Sequence, residues 1–276
     1  MMSFISIFND VLGPVMRGPS SSHTAGSYNI ARIIKSITDK HITTATLKFD
    51  PSGSYAPTYK ILGVDKAFAT GLLGLSLLDN NFHKSLSICS ENKIQLDFII
   101  DHIPGDHHPN TSLIDVIYND GESLSIVAES IGGGGINIKK INTWDVSING
   151  IEPQIFIELK TDNQKNVINL MKSVDNPLIN ITKSKESILL QFIGNNSISE
   201  KHIKSIKEFD QNIKIWPIIP VFFKIQGNEL FSNSEEMIKI SRDYNNSLGN
   251  TGLHYEMEIL GITEDQARQE MQKRLN

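Results

Sequence analysis

Cysteine is almost absent from this chain, and its scarcity limits the available chemistry. The 276 residues include one cysteine, Cys89. One thiol excludes an internal disulfide, a Cys-X-X-Cys redox pair, a cysteine-rich zinc site and any iron–sulfur cluster held wholly by this chain. Because Cys89 lies in the apolar run 86–89, we predict a small buried side chain there rather than a nucleophile.

Blocks of like charge and long apolar runs are also missing. The formal net charge is -5, and Lys and Arg are spread along the chain, so we predict no nucleic-acid partner. No uncharged apolar run reaches the roughly 18 residues needed to cross a bilayer, so no membrane partner is predicted. The N-terminus has neither a basic leader nor a small-residue cleavage site, which argues against a signal peptide. We therefore expect a soluble cytoplasmic protein.

The sequence pattern changes near residues 150–153, within a chain long enough for more than one domain. Before this point, strand-like and helix-like segments mix without a regular βαβ repeat, which favours the α+β fold class. The predicted strands cover 43–49, 95–100, 112–118 and 123–129, and a predicted helix covers 65–77. The predicted domains are 1–150, 153–224 and 228–276.

Residues 154–223 show a more regular order. Apolar alternation and helical periodicity predict β-α-β-β-α-β, the ferredoxin-like plan, with Ser199 as the cap of the second helix. The strands are predicted at 154–160, 179–182, 188–193 and 213–223. The last segment is typical of short helices, which are predicted to begin at Asn233 and Thr263 and to be interrupted at 249–252.

A hydroxyl-rich segment, Gly-Pro-Ser-Ser-Ser-His-Thr, precedes a predicted helix. Its polar side chains are Ser20, Ser21, Ser22, His23 and Thr24. Backbone N–H groups, hydroxyls and a helix N-terminus can together bind one carboxylate or phosphate. The same residue types also form ordinary caps and turns, with Ser22, Thr24 or Ser27 available as the cap. Both interpretations stay open from these residues alone.

A second polar loop gathers histidine and carboxylate side chains. Its members are His102, Asp106, His107 and His108, followed by Pro109, Asn110 and Thr111. Histidine with carboxylate suits metal ligation or proton transfer, whereas the prolines also favour a simple polar turn. A nucleophilic serine of the first segment could pair with this loop, but the hydrolase signature Gly-X-Ser-X-Gly is absent.

Four consecutive glycines, 132–135, follow an apolar strand. No Lys-Ser/Thr follows them, as a P-loop requires, and no Gly-X-Gly-X-X-Gly pattern is present. Nucleotide binding is therefore not predicted. We expect these glycines to allow close approach of the backbone to a ligand or to another strand.

Six segments of the first 150 residues together resemble the β-subunit of iron–sulfur-dependent L-serine dehydratases. They are 6–16, 18–26, 53–56, 58–60, 108–111 and 130–134, of which Gly-Pro-Ser-Ser-Ser-His-Thr-Ala-Gly and His-Pro-Asn-Thr are the most specific. The resemblance implies a β domain of the α/β-sandwich type followed by an ACT-like domain. Residues 230–276 look like the first helices of the family's α-subunit.

The resemblance also implies an activity, namely dehydration and deamination of a β-hydroxy amino acid, serine or a relative, to a 2-oxo acid and ammonia. It places His23 and His108 in catalysis and implies no metal ligand in this chain. The implied substrate-binding residues are Ser20, Ser21, Ser22, Thr24, Asn110 and Thr111. In the family, cysteines of the α portion hold a [4Fe-4S] cluster, so an α-type partner chain is expected to supply it in a hetero-oligomer.

One departure from the family pattern bears on catalysis. Tyr-Lys-Gly-His-Gly-Thr-Asp appears here as residues 59–65, with Leu62 in place of a histidine and Val64 in place of a threonine. Leucine neither transfers a proton nor hydrogen-bonds. Another base, an altered substrate, or retained binding without catalysis would each account for it. The last would make the chain an amino-acid-binding regulatory module.

Overall fold

Two β-sheets with helices packed against them form a mixed α+β fold, which confirms the predicted class. The computed structural model describes residues 4–105, 108–194 and 198–275. Two members of the predicted polar loop, Asp106 and His107, lie outside the described residues. Within the described ranges, no helix is long and apolar enough to span a membrane.

The first sheet has six strands. They are β1 Ile42–Phe49, β2 Gln95–Ile100, β3 Thr111–Tyr118, β4 Ser123–Gly132, β5 Gly135–Ile141 and β6 Trp144–Ile148. Their order is β2-β1-β3-β4-β5-β6, in which β1 and β2 are parallel and the other neighbours are antiparallel. Alternate residues of β4 are buried, because successive side chains of a strand face opposite sides of the sheet.

Helices of the first half pack against this sheet and against each other. They are α1 Gly26–Ser36, α2 Tyr55–Thr58, α3 Val64–Leu72 and α4 Ser85–Glu91. One face of α1 is buried in the core through Ile30, Ile33 and Ile34. The predicted helix 65–77 is too long: α3 ends at Leu72, because Gly74 has a positive φ of 74°, a conformation that interrupts helices.

The close contact between α1 and α3 depends on Gly71. An added Cβ at this position would lie 2.5 Å from the Cβ of Ala31 and 2.8 Å from the carbonyl oxygen of Tyr28. These distances are shorter than van der Waals contact, so only glycine fits without displacing a helix. The backbones of α1, which follows the hydroxyl-rich segment, and α3 are therefore in close contact at Gly71.

The four glycines span the turn between β4 and β5, and Gly132 is the last residue of β4 and Gly135 the first of β5. Gly132, Gly133 and Gly134 all have positive φ values, which explains why glycine is required there. The predicted strand 123–129 continues to Gly132, so it is three residues longer than the apolar pattern indicates. The close approach found at Gly134 is to a side chain rather than to a ligand or a strand, since an added Cβ would lie 2.7 Å from Pro14 Cγ.

The second sheet follows the predicted order of elements. These are β7 Gln154–Leu159, α5 Gln164–Ser173, β8 Leu178–Lys183, β9 Ile188–Ile193, α6 Glu200–Phe209 and β10 Lys214–Ile218. The strands lie antiparallel in the order β10-β7-β9-β8. Ser199 caps α6 by accepting from the N–H of His202, as predicted. The final strand is shorter than the predicted 213–223.

Helices also form the C-terminal segment. They are α7 Ser234–Ser241, α8 Leu248–Leu260 and α9 Glu264–Leu275. Asn233 caps α7 and Thr263 caps α9, which confirms both predicted starts. The predicted interruption at 249–252 is wrong, because Ser247 caps α8 before the glycines and the helix continues through them. Apolar residues of α8 and α9 pack against Phe8 near the N-terminus.

Candidate active site

The hydroxyl-rich segment forms the start of a helix. A helical turn, Ser21–Ala25, leads directly into α1, and the Ser20 hydroxyl accepts a hydrogen bond from the N–H of His23. The predicted cap was therefore placed too late, since Ser20 caps the turn rather than Ser22, Thr24 or Ser27. The sequence pattern locates the helix correctly but not its first turn, which begins before the apolar periodicity.

The imidazole of His23 lies at the centre of this segment. Its Nδ1 is 3.1 Å from the hydroxyl oxygens of both Ser20 and Ser22. The side chain is buried, and its Nε2 has no hydrogen-bond partner among the described residues. Burial lowers the pKa of His23 below its usual 6.5, with a smaller opposing effect from the backbone of Ser54. The ring is thus mainly neutral at pH 7, with one nitrogen facing two hydroxyls.

The Thr24 hydroxyl connects the hydroxyl-rich segment to Leu62. Its Oγ1 donates to the carbonyl oxygen of Leu62 at 2.9 Å, and Thr24 itself is fully buried. The side chain of Leu62 is half-buried beside this contact. Leu62 therefore adjoins the hydroxyl-rich segment, so position 62 lies at the candidate site.

The loop 108–111 is ordered by hydrogen bonds among its own residues. The N–H of Asn110 donates to Nδ1 of the exposed His108 at 3.1 Å, and the Thr111 hydroxyl donates to the His108 carbonyl at 2.7 Å. Because Nδ1 accepts, the neutral His108 ring carries its proton on Nε2. Asn110 and Thr111 are buried and hold the loop, while the imidazole faces solvent.

Residues 53–55 bridge the two polar segments, and the sequence motifs alone do not indicate this role. An added Cβ at Gly53 would lie 2.7 Å from the carbonyl oxygen of Pro109. The N–H of Ser54 donates to that same oxygen at 2.8 Å, and its hydroxyl donates to the Asn110 side chain. The Tyr55 hydroxyl donates to the Ser22 carbonyl at 3.1 Å. One short stretch of chain therefore fixes both segments.

Cys89 and His102 lie outside the candidate site. The Cys89 thiol is buried, which confirms that part of the prediction, and burial raises its pKa to about 12. His102 is exposed and lies 3.2 Å from Asp50, a carboxylate whose pKa is held well below its usual range by hydrogen bonds from Ser52 and Ile103. No group of three potential metal ligands occurs in the part of the chain that the structure describes.

The buried imidazole predicts a pH effect on stability. Because the pKa of His23 is lower in the folded than in the unfolded chain, the unfolded chain binds more protons as the pH falls below about 6.5. The free energy of unfolding should therefore decrease between pH 7.5 and pH 5.5, and less so in His23→Asn. Urea denaturation of both proteins at each pH measures the difference. Parallel pH profiles would contradict the assigned shift.

The amino-acid sequence of this chain is similar to those of known proteins. The chain is 37% identical over 157 residues to "Probable L-serine dehydratase, beta chain" of Bacillus subtilis (strain 168), which covers 56% of this chain and 69% of that protein. It is 33% identical over 165 residues to "L-serine dehydratase, beta chain" of Peptoniphilus asaccharolyticus, which covers 60% and 72%. No family model matches the chain.

Proposed function

We propose that this chain, which belongs to the family of L-serine dehydratase β chains, binds the amino-acid substrate through its hydroxyl-rich segment and acts with an α-type partner. The reaction is loss of water from serine or a related β-hydroxy amino acid, which gives an enamine that hydrolyses to a 2-oxo acid and ammonia. The observation that carries the proposal is the grouping of two serine hydroxyls around a buried imidazole.

The substrate carboxylate is assigned to the start of the helix. The hydroxyls of Ser20, Ser21 and Ser22, at the first turn of the helix, supply donors to one anion. Thr24 supports this group through its bond to Leu62 rather than through a free hydroxyl. The neutral His23 adds no charge of its own, so recognition depends on directed hydrogen bonds.

Proton transfer is assigned to the two histidines. His23 is neutral near pH 7, and its Nδ1 is hydrogen-bonded. Nε2 is therefore the ring nitrogen that is available for proton transfer with the substrate. His108 is accessible, and Asn110 and Thr111 orient its ring and backbone. A base in this region would remove the α-proton while water leaves the neighbouring carbon.

The family's [4Fe-4S] cluster does not fit the residues of this chain. The only thiol is buried within the core with its Sγ 3.9 Å from the Ala69 carbonyl, and it keeps its proton. We therefore assign the cluster to an α-type partner chain in a hetero-oligomer. The helical segment 228–276 exposes Ile238, Leu248 and Leu275, which suits a surface that meets this partner. The second sheet is assigned to an ACT-like domain with a structural role.

A second function is favoured by one observation, the half-buried Leu62 beside Thr24. If the replaced histidine is the missing base, the remaining hydroxyls still bind an amino acid. The chain would then be a regulatory module that senses serine without converting it.

One experiment separates these functions. We expect the chain, co-purified anaerobically with an α-type chain, to convert L-serine to pyruvate, and His23→Ala and His108→Ala each to lower kcat/KM by about 100-fold or more. His202→Ala, which changes a half-buried histidine of α6 outside the candidate site, is the matched control and should leave kcat/KM unchanged. Serine binding by calorimetry without turnover supports the regulatory module. Absence of both binding and turnover contradicts both functions.

A further inference from the structure

Tyr55 is buried between the two polar segments. Its side chain is 1% exposed, and its hydroxyl donates to the Ser22 carbonyl and accepts from the Ser27 hydroxyl, each at 3.1 Å. Burial raises the pKa of Tyr55 to about 12, so the phenol keeps its proton, and remains a donor, at every pH at which the protein is folded and active.

The aromatic ring of Tyr55 also contacts His23. The two rings meet edge to face, with centroids 5.2 Å apart and planes at 76°. On another side, Phe49 packs against the tyrosine at 5.2 Å and 66°. Because Phe49 belongs to β1 and is fully buried, the tyrosine ring is fixed by the sheet and in turn limits the rotation of the imidazole.

The hydroxyl of Tyr55 contacts Ser22 and its ring contacts His23, and these two residues also contact each other. The Ser22 carbonyl is held by the tyrosine hydroxyl, while the Ser22 hydroxyl lies 3.1 Å from Nδ1 of His23. We infer that Tyr55 is a positioning residue of the candidate site, which holds the Ser22 backbone and the His23 ring in the orientation that receives the substrate carboxylate. The inference rests on the proposed function for the identity of the ligand, but the geometry does not depend on it.

The test compares Tyr55→Phe with the unmodified full-length chain. Removing the hydroxyl releases the Ser22 carbonyl, so His23 becomes less confined and its pKa rises toward 6.5 in an NMR titration. The His23 signal is identified by its absence from His23→Asn. Affinity for L-serine, measured by calorimetry, should decrease about fivefold, the effect of one neutral hydrogen bond.

A matched control and a second variant keep the outcomes distinct. Tyr118→Phe removes another buried tyrosine hydroxyl, one with no hydrogen-bond partner among the described residues, and should change neither quantity. If Tyr55→Phe does not fold, Ser27→Ala removes the donor to the phenol and should shift the His23 pKa in the same direction. An unchanged His23 pKa in the folded variant, or an equal change in Tyr118→Phe, overturns the inference. If the pKa shifts but L-serine does not bind, the positioning role is supported and the proposed ligand is wrong.

Discussion

Replacement of Glu256 by alanine is expected to lower the free energy of unfolding by about 3 kcal/mol. The side chain is 1% exposed in α8, and its carboxylate accepts hydrogen bonds from the Ser6 hydroxyl and from the N–H groups of Ile7 and Phe8. These donors begin the short helical turn Ile7–Val11, so the carboxylate acts as its cap from a distance of about 250 residues in sequence.

Loss of this carboxylate leaves two backbone N–H groups near the protein interior without an acceptor, and that accounts for the large effect. Urea denaturation measures the change, and hydrogen exchange at Ile7 and Phe8 should show faster opening of the N-terminal segment. Glu258→Ala is the matched control, since Glu258 lies on the same helix with its side chain exposed. Equal losses in the two variants would exclude a specific role for Glu256.

A second large effect is expected from Gly71→Ala. Alanine is a better helix former than glycine by about 1 kcal/mol, so an exposed position would gain stability. At Gly71, however, the new methyl group would overlap Ala31 and the carbonyl of Tyr28, and the cost of overpacking is about 1–3 kcal/mol. Because a backbone atom cannot move away as a side chain can, we expect an overpacking cost near the upper limit, about 3 kcal/mol, and therefore a net loss of about 2 kcal/mol in the free energy of unfolding.

Gly249→Ala is the control for helix propensity. This glycine also lies in a helix, α8, but it is exposed and has only the Ser247 hydroxyl nearby, at 3.9 Å from an added Cβ. The control should leave the free energy of unfolding unchanged or raise it. Since α1 carries the hydroxyl-rich segment, Gly71→Ala should also weaken L-serine binding. A neutral or stabilising Gly71→Ala would show that the two helices separate easily.

The sequence predicts local elements well where one physical signal dominates. Ser199, Asn233 and Thr263 are correctly identified as caps, because capping depends on residues only a few positions apart. Helix limits are less well predicted, since α3 ends early at a left-handed glycine and α8 passes through two glycines. The order of the first sheet was not predicted, because no local pattern places β2 beside β1 at the edge.

The sequence likewise predicts one part of the candidate site and not the other. The residues of its two polar segments could be selected from their chemistry and from the family resemblance. Their connection could not, because it runs through long-range contacts of Gly53, Ser54 and Tyr55 that no spacing in the sequence reveals. The burial that lowers the pKa of His23 is likewise a property of the packed structure rather than of the Ser-His-Thr motif.

The three residues of the bridge 53–55 differ in their tolerance to sequence change. Toward Pro109 the link is made mainly by the main chain, so many residue types at position 54 would preserve the N–H contact, whereas position 53 accepts no side chain. Toward Ser22 the link depends on one phenolic hydroxyl. A substitution at position 54 would therefore preserve the bridge more readily than one at position 53, which closes the approach to Pro109, or at position 55, which releases Ser22.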